Sequence, residues 1–137
     1  MFVYMRQYPL TSTLRSLCAA LGLMIMLPMI GTASAQELRL LMIEQAGCYY
    51  CRVFNRDIAP AYTLSDIGQK APLIHADLRG PLPDGITLAS TPFVTPTFIL
   101  IGPDGQEVER LTGFPGEEFF WPYIRDMIDA ALGETVD

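Results

Sequence analysis

Apolar residues enter this chain in runs of different length and rhythm, and each rhythm predicts a different element. The first run, Leu17 to Ile30, is 14 residues long and is broken by Gly22 and Pro28. It is shorter than the roughly 20 residues that span a bilayer. Arg6 and Arg15 precede it, and Ala33-Ser34-Ala35 follows as a small-residue cleavage site, which is the layout of a secretory signal. Residues 1–35 are therefore expected to be removed, and Cys18 with them. An uncleaved membrane anchor is the alternative for this segment.

Leu38 to Glu44 is an apolar run of strand length, mostly without alternation, as suits an interior strand covered on both faces. Gln45-Ala46-Gly47 breaks it. Beyond two cysteines, Val53, Phe54, Asp57 and Ile58 recur at helical spacing, and Pro60 ends or bends that helix. Ala61 to Lys70 reads as a short second helix or a turn. Pro72 to Leu78 is the next strand, and the order strand, helix, strand favours a parallel pair. Arg79 to Pro92 holds three prolines besides Gly80 and Gly85 and reads largely as a loop.

Thr97 to Ile101 and Glu107 to Leu111 flank the turn Gly102-Pro103-Asp104-Gly105 and predict a hairpin, the second strand alternating as if half-exposed. From Phe120, the residues Tyr123, Ile124, Met127, Ile128 and Ala131 mark one face of a last helix, with Gly133 as its stop. Pro122 cannot lie deep inside it without removing a hydrogen bond, so the helix is expected to start near Trp121 or to kink there.

Composition narrows the function. Removing the signal leaves residues 36–137, one small domain able to bury a core without staples. Losing Arg6 and Arg15 from nine basic residues leaves seven against fifteen acidic ones, a net charge of −8. Such a surface makes nucleic acid a poor partner. The mature form is not expected to span a membrane. Export places the two remaining cysteines, Cys48 and Cys51, in an oxidising compartment.

Cysteines three apart can be a staple, a ligand pair, a haem anchor or a redox couple. As a staple the ring is too short to remove much unfolded-chain entropy. A c-type haem needs histidine after the second cysteine, where Arg52 stands. Zinc or copper needs further ligands, and the domain offers one histidine, His75, in mid-strand. A copper carrier using both cysteines and a methionine, a static disulfide and a non-catalytic binding module remain as alternatives. For a redox couple, Cys48 in the first turn of a helix would have its thiolate stabilised by free amides and the helix dipole. Cys51, one turn further in, is placed to attack a mixed disulfide on Cys48. The expected roles are nucleophile for Cys48 and resolving thiol for Cys51.

Five stretches carry a family likeness: Glu44 to Cys51, Ile58-Ala59-Pro60, Asp77 to Gly85, Thr95-Pro96-Thr97-Phe98, and Gly113 to Trp121. Their order across nearly the whole mature chain resembles the thioredoxin-like family, above all the exported members encoded with bacterial sulfur-oxidation (Sox) systems. The resemblance implies an α/β thioredoxin-like fold, a central mixed sheet of about four strands flanked by helices. It implies a cis peptide at Thr95-Pro96 facing the cysteine pair, with Pro96 discouraging metal binding. Tyr49, Tyr50, Thr95, Pro96 and Gly113 would then line the substrate groove.

The activity implied is periplasmic thiol–disulfide exchange through a redox-active Cys48–Cys51 disulfide, with no bound cofactor. The expected partners are an exported protein carrying a disulfide and a membrane dithiol electron donor. The sequence departs from ordinary thioredoxins where their buried aspartate would fall, at Met42, and Glu44 two residues on is either a candidate proton acceptor in its place or a solvent-exposed carboxylate at the strand end. Arg52 is a candidate source of positive charge near Cys48, or a solvated helix residue.

Overall fold

A computed structural model describes residues 37–134, which lie in a unit, Ser34–Asp137, that is compact by itself. The expected signal, residues 1–35 with Cys18, lies outside the described residues. Those described form β1 (Arg39–Glu44), α1 (Tyr49–Asp57), α2 (Ala59–Leu64), α3 (Asp66–Lys70), β2 (Leu73–Asp77), β3 (Thr97–Ile101), β4 (Glu107–Thr112) and α4 (Glu117–Leu132). The strands lie in the order β2-β1-β3-β4, with β1 parallel to β2 and antiparallel to β3, and β4 antiparallel to β3. The expected α/β fold with a four-stranded mixed sheet holds, and the apolar β1 run is central.

Burial on both faces explains why β1 and β3 do not alternate. Leu40, Met42, Phe98 and Leu100 pack with Phe54, Ile58, Tyr62, Ile67, Phe120, Ile124 and Ile128 of the helices. Leu41, Ile43, Ile99 and Ile101 face the other way with Ala76, and Leu78, Ile86 and Leu88 of the β2–β3 connection pack over them. All four helices thus contribute to one core cluster, while a loop closes the second. Phe120 centres the first cluster, its ring 5.0 Å from those of both Phe54 and Phe98 and 6.2 Å from that of Tyr62.

Local chemistry sets the breaks. The first helix stops at Ile58, and Pro60 sits at the second position of α2, where its missing N–H leaves no helical bond unmade. The Ala61–Lys70 stretch divides between two short helices because Ser65 intervenes, its Oγ accepting the Gly68 N–H at 3.0 Å. The last helix begins at Glu117, four residues ahead of Trp121, and carries Pro122 inside. Pro122 is exposed, so the carbonyl it leaves without a donor is on the water side. In β4 a register shift between Leu100 and Ile101 sets Ile101 opposite Glu107 and Leu100 opposite Glu109. Val108 is the residue left over, and it is exposed despite the alternation read in the sequence.

The long loop is tied to the hairpin. Thr87 N–H donates to Gly105 O at 2.9 Å, and Glu107 N–H donates to Thr87 O at 3.0 Å. Gly105 has φ of 80°, and a Cβ there would lie 1.9 Å from Gly85 O, so the crossing of turn and loop requires glycine.

Candidate active site

β1 delivers the chain to Gln45-Ala46-Gly47, which turns it into α1 with Cys48 as the N-cap. The Cys48 N–H donates to Gln45 O at 3.2 Å, and Cys48 Sγ accepts the Cys51 N–H at 3.1 Å. This is the place a serine oxygen commonly takes, so the sulfur lies against the unpaired amides at the positive end of the helix. The two sulfurs form a disulfide with the Cα atoms 5.3 Å apart. They are not equivalent: Cys51 is 3% exposed within the helix-side core, while Cys48 is only partly buried at its rim.

The Thr95–Pro96 peptide is cis, with Pro96 buried and Thr95 half-buried. Three segments meet here. Gln45 Nε2 donates to Thr95 Oγ1 at 3.2 Å, and Gly113 N–H donates to Pro96 O at 2.8 Å. The Thr97 hydroxyl donates to Val94 O at 2.8 Å and fixes the approach to β3. Among the described residues the Thr95 backbone makes no backbone–backbone hydrogen bond. Gly113 is half-buried with φ of 87°, and a Cβ there would meet nothing within 4 Å.

Tyr49 and Tyr50 are exposed between the cysteines, their rings edge to face at 5.3 Å. Arg52 lies over the Tyr49 ring, its guanidinium carbon 5.8 Å from the centroid. This contact directs it to the aromatic ring. Phe93, three residues before Pro96, is 84% exposed and was not singled out from the sequence.

Glu44 ends β1 half-exposed. Its Oε2 accepts from Asn55 Nδ2 at 2.8 Å, and its Oε1 lies 3.1 Å from Nδ1 of His75. Gln45 and Asn55, bonded to Thr95 and Glu44, are neighbours of the expected site residues that the sequence did not single out. Asn55 could have been found as the residue one turn beyond Cys51 on α1, whereas nothing near Gln45 in sequence points to Thr95. Among the described residues no group of three His, Cys, Asp or Glu side chains is gathered as a metal site.

No protein-family model and no curated protein matches the chain. Among solved structures, the periplasmic thioredoxin SoxS from Paracoccus pantotrophus in its reduced form is 49% identical. That match covers 69% of this chain and 99% of that one, with a TM-score of 0.66. The chain belongs to the thioredoxin-like family. The reduced N-terminal domain of PilB from N. meningitidis also matches, at 18% identity over 66% of this chain and 81% of that one, with a TM-score of 0.46.

This thioredoxin-like protein is related to the Sox thioredoxins, and its Cys48–Cys51 pair makes it a thiol–disulfide oxidoreductase. Met42 is fully buried in the same cluster as Cys51, so β1 offers the buried sulfur no carboxylate at that position. Glu44 is the next residue of β1 on the same face of the sheet.

Proposed function

We propose that the protein is exported with residues 1–35 removed and works in the periplasm as a reductase of a disulfide on an exported partner of sulfur oxidation. The observation that carries the exchange chemistry is the inequality of the two sulfurs: Cys48 caps the helix at the rim, while Cys51 is closed into the core. Helix N-termini favour thiolate, so in the reduced protein Cys48 is the nucleophile. Its sulfur attacks one sulfur of the partner disulfide, the other partner sulfur leaves as thiolate, and a mixed disulfide forms. Cys51 loses its proton to Glu44, attacks Cys48, and expels the second partner sulfur. The partner gains two electrons, and the protein returns to the Cys48–Cys51 disulfide. No bound cofactor enters this cycle; a membrane dithiol donor restores the reduced pair.

The groove for the partner runs between Tyr49 and Tyr50 on one side and Thr95, Pro96 and Gly113 on the other. That the Thr95 backbone makes no backbone–backbone hydrogen bond among the described residues supports pairing with an extended segment around the partner cysteine. The reducing direction and the sulfur-oxidation setting rest on the relation to the periplasmic Sox thioredoxin.

Trapping tests both chemistry and partner. With Cys51→Ala, the mixed disulfide on Cys48 cannot resolve, and an exported protein should be captured in periplasmic extract and released by dithiothreitol. Capture of nothing, or disulfide reduction of insulin that survives Cys48→Ser, would overturn the assignment.

A further inference from the structure

Phe93 is 84% exposed, the most exposed large apolar side chain among the described residues, and the exchange cycle leaves it without a role. Its backbone is pinned on both sides. Before it, the Ala89 N–H donates to Glu107 Oε2 at 2.8 Å, and Arg110 Nη2 donates to Ser90 O at 2.9 Å. After it, Thr97 Oγ1 donates to Val94 O at 2.8 Å and Gln45 Nε2 to Thr95 Oγ1 at 3.2 Å, with the cis peptide next along the chain. A ring on a backbone already ordered at both ends loses little further entropy when a partner covers it.

The ring also stands close to the reactive turn. Phe93 is two residues before Thr95, so their Cα atoms are at most about 7 Å apart, and Thr95 is bonded to Gln45 of the turn that leads into Cys48. The three segments that meet here, Gln45 to Cys51, Gly85 to Pro103 and Leu111 to Gly116, hold no charged residue, although seven basic and fifteen acidic residues follow residue 35. The charges next to them in sequence are engaged: Glu44 with Asn55, Arg52 over Tyr49, and Arg110 with Glu107. A single exposed apolar residue needs no explanation. Phe93 is not single, because Tyr49 and Tyr50 are 63% and 57% exposed on the neighbouring segment. Charge depleted and aromatic rings enriched is the composition of an interface centre.

We infer that Phe93 is a specificity-determining contact of the exchange reaction, packing against an uncharged, apolar side chain of the partner protein a few residues from the cysteine that Cys48 attacks. The inference rests on the reading of the protein as a reductase of a partner disulfide, and it names the kind of segment that disulfide sits in. An apolar residue laid on the ring takes both out of water and keeps the partner sulfur at Cys48. A charged residue in the same place loses water and finds no opposite charge in the three segments.

Single-turnover oxidation of the reduced protein reads the preference directly. The oxidants are symmetric disulfides of two short peptides, alike except that one carries leucine and the other glutamine at the second and third positions on either side of the cysteine. Hydroxyethyl disulfide, which has no flanking residues, reads Cys48 alone. The leucine peptide should react about tenfold faster than the glutamine peptide, and the advantage should persist at molar salt because no ion pair carries it. Phe93→Ser should cut the advantage to within about twofold while leaving the rate with hydroxyethyl disulfide and the urea midpoint unchanged, as befits an exposed side chain. In the mixed disulfide trapped on Cys51→Ala, the Phe93 ring resonances should move with the leucine peptide and stay in place with the glutamine one.

Equal rates for the two peptides, an advantage that survives Phe93→Ser, or ring resonances indifferent to leucine would overturn the inference and leave the exchange reading standing. An equal loss with hydroxyethyl disulfide would place the effect at Cys48 and overturn it too. So would a dimer in sedimentation that Phe93→Ser dissolves, since a second copy of the chain would then be what covers the ring. Failure of the reduced protein to react with any of the three disulfides would overturn the exchange reading itself.

Discussion

Gln45 donates from its side-chain amide to the Thr95 hydroxyl at 3.2 Å, across 50 positions of sequence. Its own carbonyl accepts the Cys48 N–H. One residue therefore ties the cysteine turn with its backbone and the residue before the cis proline with its side chain, and so links the two walls of the proposed groove. Gln45→Ala should cost stability only about 0.5–1.5 kcal/mol, the worth of one hydrogen bond. It should slow insulin reduction several-fold yet leave the reaction of Cys48 with a small aromatic disulfide unchanged, because only the protein substrate needs both groove walls. Equal rates with insulin for the variant and the unaltered protein would show that the tie does not position the groove.

Cys48 caps α1 through its sulfur, the atom that the proposed exchange cycle also uses as nucleophile. The two duties can be separated, because serine keeps the acceptor for the Cys51 N–H and alanine does not. Cys48→Ser and Cys48→Ala should be equally inactive in exchange. Under reducing conditions the alanine variant should be less stable in urea unfolding by about 1 kcal/mol, the usual worth of an N-cap. If the two unfold together, the sulfur contributes nothing as a cap, and the 3.1 Å contact is incidental.

The cysteine turn, the strands and the last helix were legible in sequence because each is a local pattern. Thr97–Ile101 shows its strand through unbroken apolar residues, and Cys48 and Cys51 mark the turn into α1 through their spacing. What escaped depends on contacts between distant segments. Val108 fits an alternating strand until a register shift against β3 turns it out to solvent. Pro122 reads as a helix boundary because sequence alone does not show that the helix begins at Glu117 and that the proline lies on its exposed side. Glu44 could be named as a candidate base from its place two residues after Met42. Its partners Asn55 and His75 come from α1 and β2 and emerge only when the sheet is assembled.

Tyr62 tests how α2 is fastened to the sheet. Its ring is fully buried beside Phe120, and its hydroxyl donates at 2.7 Å to the carbonyl of Ala71, which is also fully buried and directly precedes Pro72 and β2. Burial pushes the phenol well above its ordinary titration range, so it stays a donor at any working pH. Tyr62→Phe keeps the ring and strands the carbonyl, at an expected cost of about 1–3 kcal/mol. A urea midpoint unmoved by the change would mean that water replaces the hydroxyl at Ala71.

Acid should loosen the long loop before it loosens the core. Glu107 accepts from Arg110 at 2.6 Å through both carboxylate oxygens and from the Ala89 N–H at 2.8 Å, while Arg110 also donates to Ser90 O at 2.9 Å. The Arg110 hydrogen bonds, followed by that of the Ala89 amide, hold the Glu107 carboxyl below its usual range despite partial burial. A group whose folded value is depressed stabilises the protein above its unfolded value, near pH 4.3, and loses that contribution as pH falls through the lower folded value. Glu107→Gln should therefore be less stable than the unaltered protein at pH 7, with the gap closing as pH is lowered toward 2. Hydrogen exchange at Ala89 should accelerate over the same range relative to amides of β3. A stability gap that stays constant with pH would show that the Glu107 charge does not hold the loop, and that the clasp acts by shape alone.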